Sequence, residues 1–194
     1  MRACLFRAES QAVKADRLIE FCRRQDGTEL EVFSATQPDM DSITAGTWAF
    51  LFVAMRMRKE PFLWMEPDAS PLHYGWLSCI SAQYPGGIMS PHLTNKHDHA
   101  SGICAYPEGM VDALPPMEFF QGPYHGHAWD LWVEENLQHI ITRTKLIQHS
   151  YGVYDDDGFV VDRHRFPRDS GIIQDDAVIF HADKHQDLLA DATT

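Results

Sequence analysis

Long apolar runs are missing from this sequence. No stretch approaches the roughly 20 apolar residues that a membrane-spanning helix needs. The N-terminus lacks an apolar signal region. The longest apolar stretch, residues 48–55, has the length of a buried helix in a globular core. We therefore expect a protein that makes no membrane contact and works in the cytoplasm.

Cysteine and positive charge are also scarce. The four cysteines, at positions 4, 22, 79 and 104, show no CxxC spacing, which argues against a zinc knot or a disulfide framework. Lysine and arginine total 16 against 28 acidic residues, so the net charge is −12. Such a charge disfavours broad electrostatic attraction to nucleic acid or anionic lipid. Small basic groups at 56–59 and 163–165 still allow local phosphate contacts.

The apolar residues that are present suffice for one core. A chain of 194 residues with 44% hydrophobic residues is long enough for one sizeable domain, which we place at 1–194. Its first part predicts a β-α-β unit, with strands at 2–7 and 29–34 around an amphipathic helix at 9–24. Such a unit indicates an α/β fold, although no glycine-rich phosphate loop accompanies it. We further predict a helix at 47–58 and a long polar loop at 152–168.

The most informative stretch is an apolar strand that ends in two acids. Phe62–Met65 has the length and composition of a buried strand, and Glu66, Pro67 and Asp68 follow it directly. Carboxylates beside a core are costly unless they are paired, hydrogen-bonded or bound to a cation. Pro67 ends the strand and fixes the angle between the two acids. The pattern indicates a metal or catalytic centre, and it also fits an acidic turn in which Asp68 caps the next helix.

This stretch resembles the metal-binding motif of GT-A glycosyltransferases. The likeness is to small bacterial and phage-encoded members whose motif reads LEPD-x-x-P-L…GW, and this chain supplies Glu66, Pro67, Asp68, Pro71, Leu72, Gly75, Trp76 and Leu77. The resemblance implies a single GT-A-like, Rossmann-like domain, with a mixed central sheet flanked by helices.

The resemblance also implies a metal site. Glu66 and Asp68 would bind Mn²⁺ or Mg²⁺, and a histidine near the C-terminus would supply a third ligand. His181 is the first choice and His149 the second, because both follow apolar, strand-like runs. Lys184 would contact the diphosphate of the donor. A histidine at the end of a strand is, taken alone, an ordinary feature.

Donor and acceptor contacts follow from the same resemblance. Gly46 and Thr47, at the expected start of a helix, would approach the donor through backbone N–H groups; a turn glycine before a core helix is the alternative. Asp130 would be the base that removes the acceptor's proton, or else a residue that interacts with a helix dipole. The acceptor side would include His99, Ser101, Gly102 and Trp129, with Ser101 at a position where the family commonly has asparagine.

The expected activity is transfer of a sugar from a nucleotide-diphosphate sugar to an acceptor hydroxyl. One candidate acceptor is a hydroxymethylated base of phage DNA, which would put the enzyme in the host cytoplasm; another is a saccharide. No obligate protein partner is evident. Two other classes stay open. A non-haem iron oxygenase would use the His181-x-Asp183 pair, and a non-catalytic module would bind the sugar nucleotide without turnover.

Overall fold

The structure is a computed structural model that describes residues 1–91, 102–121, 128–149, 153–154, 160–162 and 176–181. Within these ranges the strands are β1 (Arg2–Phe6), β2 (Glu31–Phe33), β3 (Phe62–Met65), β4 (Ser70–Pro71), β5 (Ile88–Pro91), β6 (Cys104–Tyr106), β7 (Ile141–Thr144), β8 (Ile147–His149), β9 (Val153–Tyr154), β10 (Val160–Asp162) and β11 (Ile179–His181). The helices are α1 (Ala12–Asp26), α2 (Ser42–Arg56), α3 (Trp76–Gln83), α4 (Met110–Ala113), α5 (Met117–Gln121) and α6 (Trp129–Asn136). Short 3₁₀ helices cover Glu9–Gln11 and Gln138–Ile140. None of the helices in these ranges has the length and hydropathy to cross a membrane.

Six strands form a mixed sheet in the order β2-β1-β3-β6-β5-β7. β1 pairs in parallel with both β2 and β3, as a β-α-β unit requires. β6 runs antiparallel to its neighbours β3 and β5, while β7 is parallel to β5. Helices cover both faces, so the expected α/β class with a mixed central sheet is confirmed.

Alternating side chains of the central strands build a core on each face of the sheet. Leu5 and Leu63 face α1 and α3, whereas Phe6 and Trp64 face α2 and α6. On the second face Phe50 of α2 packs among aromatic rings. Its ring stacks on Trp129 of α6 at 3.7 Å between centroids and lies 5.0 Å from Tyr106 and 5.6 Å from Trp64. This cluster fixes α2 and α6 against the sheet.

A small second sheet joins distant parts of the chain. β11 pairs antiparallel with β4, with Phe180 opposite Ser70, and parallel with β8, with His181 opposite His149. The backbone extends the contact, because the N–H of Leu72 donates to the carbonyl of Val178 at 2.9 Å. Ile147 and Ile179 are buried in the α1 side of the core. The last described strand is thereby held beside the segment that follows Glu66 and Asp68.

Helix α2 begins five residues before the predicted start at Thr47, so that prediction is wrong. Asp41 is the N-cap, and its carboxylate accepts hydrogen bonds from the N–H groups of Ile43 and Thr44, both at 3.0 Å. Gly46 and Thr47 therefore lie inside the helix, where their N–H groups serve the helical ladder and are not offered to a ligand.

The predicted long loop at 152–168 is also wrong in part. β9 and β10 pair antiparallel within it, with Val160 opposite Tyr154. Valine and tyrosine favour strands, and this outweighed the polar composition of the surrounding segment. The rest of that segment lies outside the described residues.

Replacing the cap of α2 should destabilise the protein. We expect Asp41→Ala to lower the free energy of unfolding by about 1 kcal/mol, because two N–H groups at the helix start lose their acceptor. Urea denaturation measures the change. Asp39→Ala, at an exposed site two residues earlier, is the matched control. Equal stabilities for the two variants would contradict the capping role.

Candidate metal centre

The two acids lie where the central strand β3 ends. All four residues of β3 are buried, and β1 on one side and β6 on the other pair with it. Pro67 cannot donate to the ladder, and the chain turns back at once, with the N–H of Ala69 donating to the carbonyl of Glu66 at 3.0 Å. The acids are thus at the carboxyl end of a parallel strand pair, where α/β folds commonly bind ligands.

His181 reaches both acids from the end of β11. Its Nε2 donates to Oε2 of Glu66 at 3.0 Å and lies 3.4 Å from Oδ1 of Asp68. The side chains of His181 and Asp68 are only 5% and 6% exposed, whereas that of Glu66 is 36% exposed. The pairing of β11 with β4 brings His181 to residues more than 110 positions earlier in the chain.

The electrostatics of this trio favour a positive charge between the carboxylates. Burial alone would lower the pKa of His181, but the charge of Asp68 and hydrogen bonds to Asp68 and Glu66 outweigh it and raise the pKa to about 9. Two carboxylates this close to each other and largely out of water need such compensation. A protonated imidazole supplies it, and a divalent cation bound by the same atoms would supply more.

The donor set fits a divalent cation. One ligand atom each from Glu66, Asp68 and His181 can be chosen so that all lie within 4.8 Å of one another. Neighbouring ligands of an octahedral ion with bonds of about 2.1 Å lie about 3.0 Å apart, and the two distances from His181 Nε2 are 3.0 and 3.4 Å. Carboxylate oxygens suit Mg²⁺, Ca²⁺ and Mn²⁺, and an imidazole nitrogen suits transition metals, whereas the non-haem iron triad needs two histidines and one carboxylate.

A cavity of about 360 Å³ opens beside the acids. Its floor is the end of β3 with Trp64, Glu66 and Asp68, and α2 contributes a wall that includes Gly46. The other wall comes from the segment after β1 and the start of α1. The polar side chains that line the cavity are Ser10, Gln11 and Lys14 on that wall, Gln37 in the loop before α2, and Ser42 at the start of α2. The volume is in the range of small-molecule sites, which are cavities of roughly 300–1,000 Å³.

Comparisons with known proteins bear on the fold. No protein-family model and no curated protein matches this sequence. Among solved structures, a glycosyltransferase involved in the glycosylation of the major capsid of PBCV-1 is similar over 100% of both chains, with a TM-score of 0.58 and 10% identity. The chain has the fold of a glycosyltransferase. A197 from STIV is also similar, over 74% of this chain and 82% of that chain, with a TM-score of 0.47 and 10% identity.

Within this glycosyltransferase fold, Thr47 and Trp129 have packing roles. The Thr47 hydroxyl is buried and accepts a hydrogen bond from the Trp129 backbone N–H at 3.3 Å, which joins α2 to α6. The Trp129 ring is 4% exposed and stacks on Phe50. Thr47 and Trp129 thus make contacts between helices, while the donor contact expected of Thr47 and the acceptor contact expected of Trp129 stay predictions. Gly46 is among the residues that line the cavity.

Asp130 lies in the first turn of α6 and is half-buried. Its Oδ1 accepts from the N–H of Leu131 at 2.9 Å. Burial and Cys104 are the main causes of the raised pKa of Tyr106, and the charges of Asp130 and Glu66 add to it. Both carboxylates are therefore within electrostatic reach of one buried hydroxyl, on the same face of the sheet.

Several expected site residues have no described position. His99 and Ser101 lie in the interval 92–101, and Lys184 lies beyond residue 181, outside the described ranges. The backbone of His149 is opposite His181, but its side chain is not among those described. Gly102 is described, and it lies directly against the Glu66 carboxylate.

The cavity contains residues that the sequence did not single out. Lys14 and Gln11 come from the segment after β1, and Gln37 comes from the loop before α2, where its Nε2 donates to the Ala45 carbonyl at 3.1 Å. A usable signal was present, because residues just beyond the carboxyl ends of parallel strands line the ligand crevice of α/β sheets. In the predicted β-α-β unit, Gln11, Lys14 and Gln37 follow the carboxyl ends of the two parallel strands.

The His181 trio should make the stability of the chelated protein depend on pH. The pKa of His181 is about 9 in the folded protein and 6.5 for an ordinary histidine, so its stabilising contribution is complete below pH 6.5 and is lost as the pH rises through 9. With EDTA present, we expect the free energy of unfolding to fall over this window by on the order of 3 kcal/mol. Urea denaturation at several pH values measures it.

His181→Gln should abolish this pH dependence, and His139→Gln, at an exposed position, should keep it. If all three proteins have the same slope between pH 6.5 and 9, His181 does not carry the charge between the two carboxylates.

Proposed function

We propose that this protein is a metal-dependent glycosyltransferase that moves a sugar from a nucleotide-diphosphate sugar to a hydroxyl group. The observation that carries the proposal is the meeting of Glu66, Asp68 and His181 at the end of a central strand, beside a cavity. The fold shared with a glycosyltransferase supports it. At 10% identity that likeness concerns the fold alone, and the proposed chemistry rests on the residues of the site.

In the proposed reaction the leaving group is a nucleotide diphosphate, and the site must stabilise its negative charge. Negative charge grows on the diphosphate as the bond to the sugar breaks, and a cation bound here would neutralise it. The buried Asp68 and His181 hold fixed positions for such an ion, while the more exposed Glu66 forms the edge of the site towards the cavity. Mn²⁺ and Mg²⁺ are the ions proposed.

The cavity suits the nucleotide part of the donor. It connects the acids to the wall that carries Lys14 and Gln11. The ammonium group of Lys14 is a suitable point charge for a phosphate, and Gln11 and Ser10 can donate to or accept from a base or ribose. Gly46 would contact the donor through its Cα surface. Lys184, three residues after His181 in the sequence, is proposed to add positive charge at the diphosphate.

Asp130 is the proposed base. An attacking hydroxyl must lose its proton as it bonds to the anomeric carbon, and a carboxylate can take it. Asp130 is on α6, which Trp129 packs onto α2, and α2 forms one wall of the cavity. This role requires an enzyme that inverts configuration. His99, Ser101 and Gly102 are proposed on the acceptor side, and the two proposed acceptors are a hydroxymethylated base of phage DNA and a saccharide.

Turnover should require both the cation and Asp68. We expect hydrolysis or transfer from a panel of sugar nucleotides with Mn²⁺, loss of turnover with EDTA, and a loss on the order of 100-fold or more for Asp68→Asn, because the ion loses a buried anionic ligand. Mass spectrometry of the products measures it. Asp176→Asn, an exposed aspartate before β11, is the matched control.

Three results would contradict this function. Turnover that resists EDTA and Asp68→Asn would remove the metal from the reaction. Binding of a sugar nucleotide with no turnover on any acceptor would indicate a non-catalytic module. Consumption of 2-oxoglutarate would indicate an oxygenase.

Asp130→Asn should lower kcat by roughly 10²- to 10⁴-fold, because the acceptor hydroxyl loses its base. Mn²⁺ affinity should not change, since Asp130 is not among the three grouped ligands. Steady-state kinetics and Mn²⁺ titration separate the two effects. Glu135→Gln, an exposed acid on the same helix, should keep full activity. A kcat equal to that of the unmodified protein would exclude Asp130 as the base.

A further inference from the structure

Gly102 faces Glu66 across two antiparallel strands. β6 pairs with β3 in a register in which Trp64 is opposite Cys104 and Leu63 is opposite Ala105. Continued by two residues, this register puts Glu66 opposite Gly102. Residues directly opposite in an antiparallel pair have their side chains on the same face, in contact. The side-chain position of residue 102 is therefore next to Glu66.

The Glu66 carboxylate fills the space that a side chain at position 102 would need. A Cβ added to Gly102 would lie 2.2 Å from Cδ of Glu66 and 2.4 Å from each of its two carboxylate oxygens. These separations are far shorter than van der Waals contact, so a side chain at 102 and the present position of the carboxylate exclude each other. From that position Oε2 of Glu66 reaches Nε2 of His181 at 3.0 Å.

Backbone conformation does not explain this glycine. The glycines with positive φ are Gly27, Gly75, Gly86 and Gly109 among the described residues, and Gly102 is not one of them. An alanine could therefore adopt the backbone conformation found at 102. What requires glycine is the close approach of a carboxylate that is itself one of the three grouped ligand atoms.

We propose that Gly102 is a positioning residue for the metal site: the absence of a side chain there holds the Glu66 carboxylate against His181 and so sets the affinity for the divalent cation. The inference rests on the proposed metal site and adds a residue to it. A side chain at 102 would push the carboxylate away, and Glu66 is exposed enough to move towards solvent. Asp68 and His181 are buried and would stay in place.

Manganese binding by Gly102→Ala tests the proposal without an activity assay. We expect Mn²⁺ affinity, measured by electron paramagnetic resonance of free Mn²⁺ or by calorimetry, to fall about 10- to 100-fold, the range found when the partners that orient a ligand are changed. Gly87→Ala is the matched control, because its added Cβ would lie 2.5 Å from the carbonyl oxygen of Ile140, a comparable clash at a residue that is not part of the proposed site. That variant should bind Mn²⁺ as the unmodified protein does.

A double-mutant cycle shows whether the effect passes through Glu66. In a Glu66→Ala background the carboxylate is gone, so Gly102→Ala should cause little further loss of Mn²⁺ affinity. A purely structural role of Gly102 would instead give additive losses. If Gly102→Ala alone fails to fold, recovery of folding in the double variant supports the proposal, and continued misfolding overturns it.

The remaining outcomes are distinct. No Mn²⁺ binding by the unmodified protein would overturn the metal site and this inference together. Normal binding by both the unmodified protein and Gly102→Ala would overturn the inference alone and leave the proposed function intact. A change confined to the KM for the acceptor would show that Gly102 serves the acceptor and does not position Glu66.

Discussion

The structure depends on how two carboxylates are kept at the end of a buried strand. Asp68 is nearly inaccessible and Glu66 is partly so, and removing such groups from water is unfavourable without a compensating positive charge. His181 is a partner of both carboxylates, with its Nε2 at 3.0 Å from Glu66 and 3.4 Å from Asp68, and the proposed divalent cation would be bound by the same three groups. The small sheet that pairs β11 with β4 makes this compensation possible, because it holds the histidine next to the acids. The arrangement places three ionisable groups together at the end of β3, beside the cavity.

The two faces of the main sheet contribute to the site in different ways. On the face of α1 and α3, aliphatic residues of the central strands pack against residues of the small sheet. This shared core holds β11 next to the two acids. On the other face, Phe50 and Trp129 lock α2 to α6 and leave the first half of α2 as a wall of the cavity. Packing on one side therefore brings His181 to Glu66 and Asp68, and packing on the other shapes the cavity beside them. Glu66 belongs to both, since it contacts His181 and lines the cavity.

The acidity of the chain limits how an anionic donor can be bound. A net charge of −12 repels a nucleotide diphosphate at long range. The proposed donor would then depend on local positive charge, which Lys14 at the cavity and the proposed cation would supply. The same repulsion applies to a DNA acceptor, whose affinity grows with the number of phosphates that basic side chains neutralise. A saccharide acceptor would avoid this cost.

The amino-acid sequence by itself determined the local features. Periodicity and β-branched or aromatic content indicated the first β-α-β unit, and the apolar run before Glu66 marked a buried strand whose end was unusually acidic. Resemblance to a family pointed to His181. Local pattern was a poorer guide to the start of α2, which the Asp41 cap sets, and it gave no sign of the contact that Thr47 and Trp129 make between helices. Only the tertiary structure shows that His181 contacts Glu66 and that Gly102 lies against the Glu66 carboxylate. Both contacts arise from pairing between strands far apart in the chain. Strands far apart in the chain pair because together they bury their apolar side chains in one core. A short stretch of sequence does not show which distant strand will be its partner.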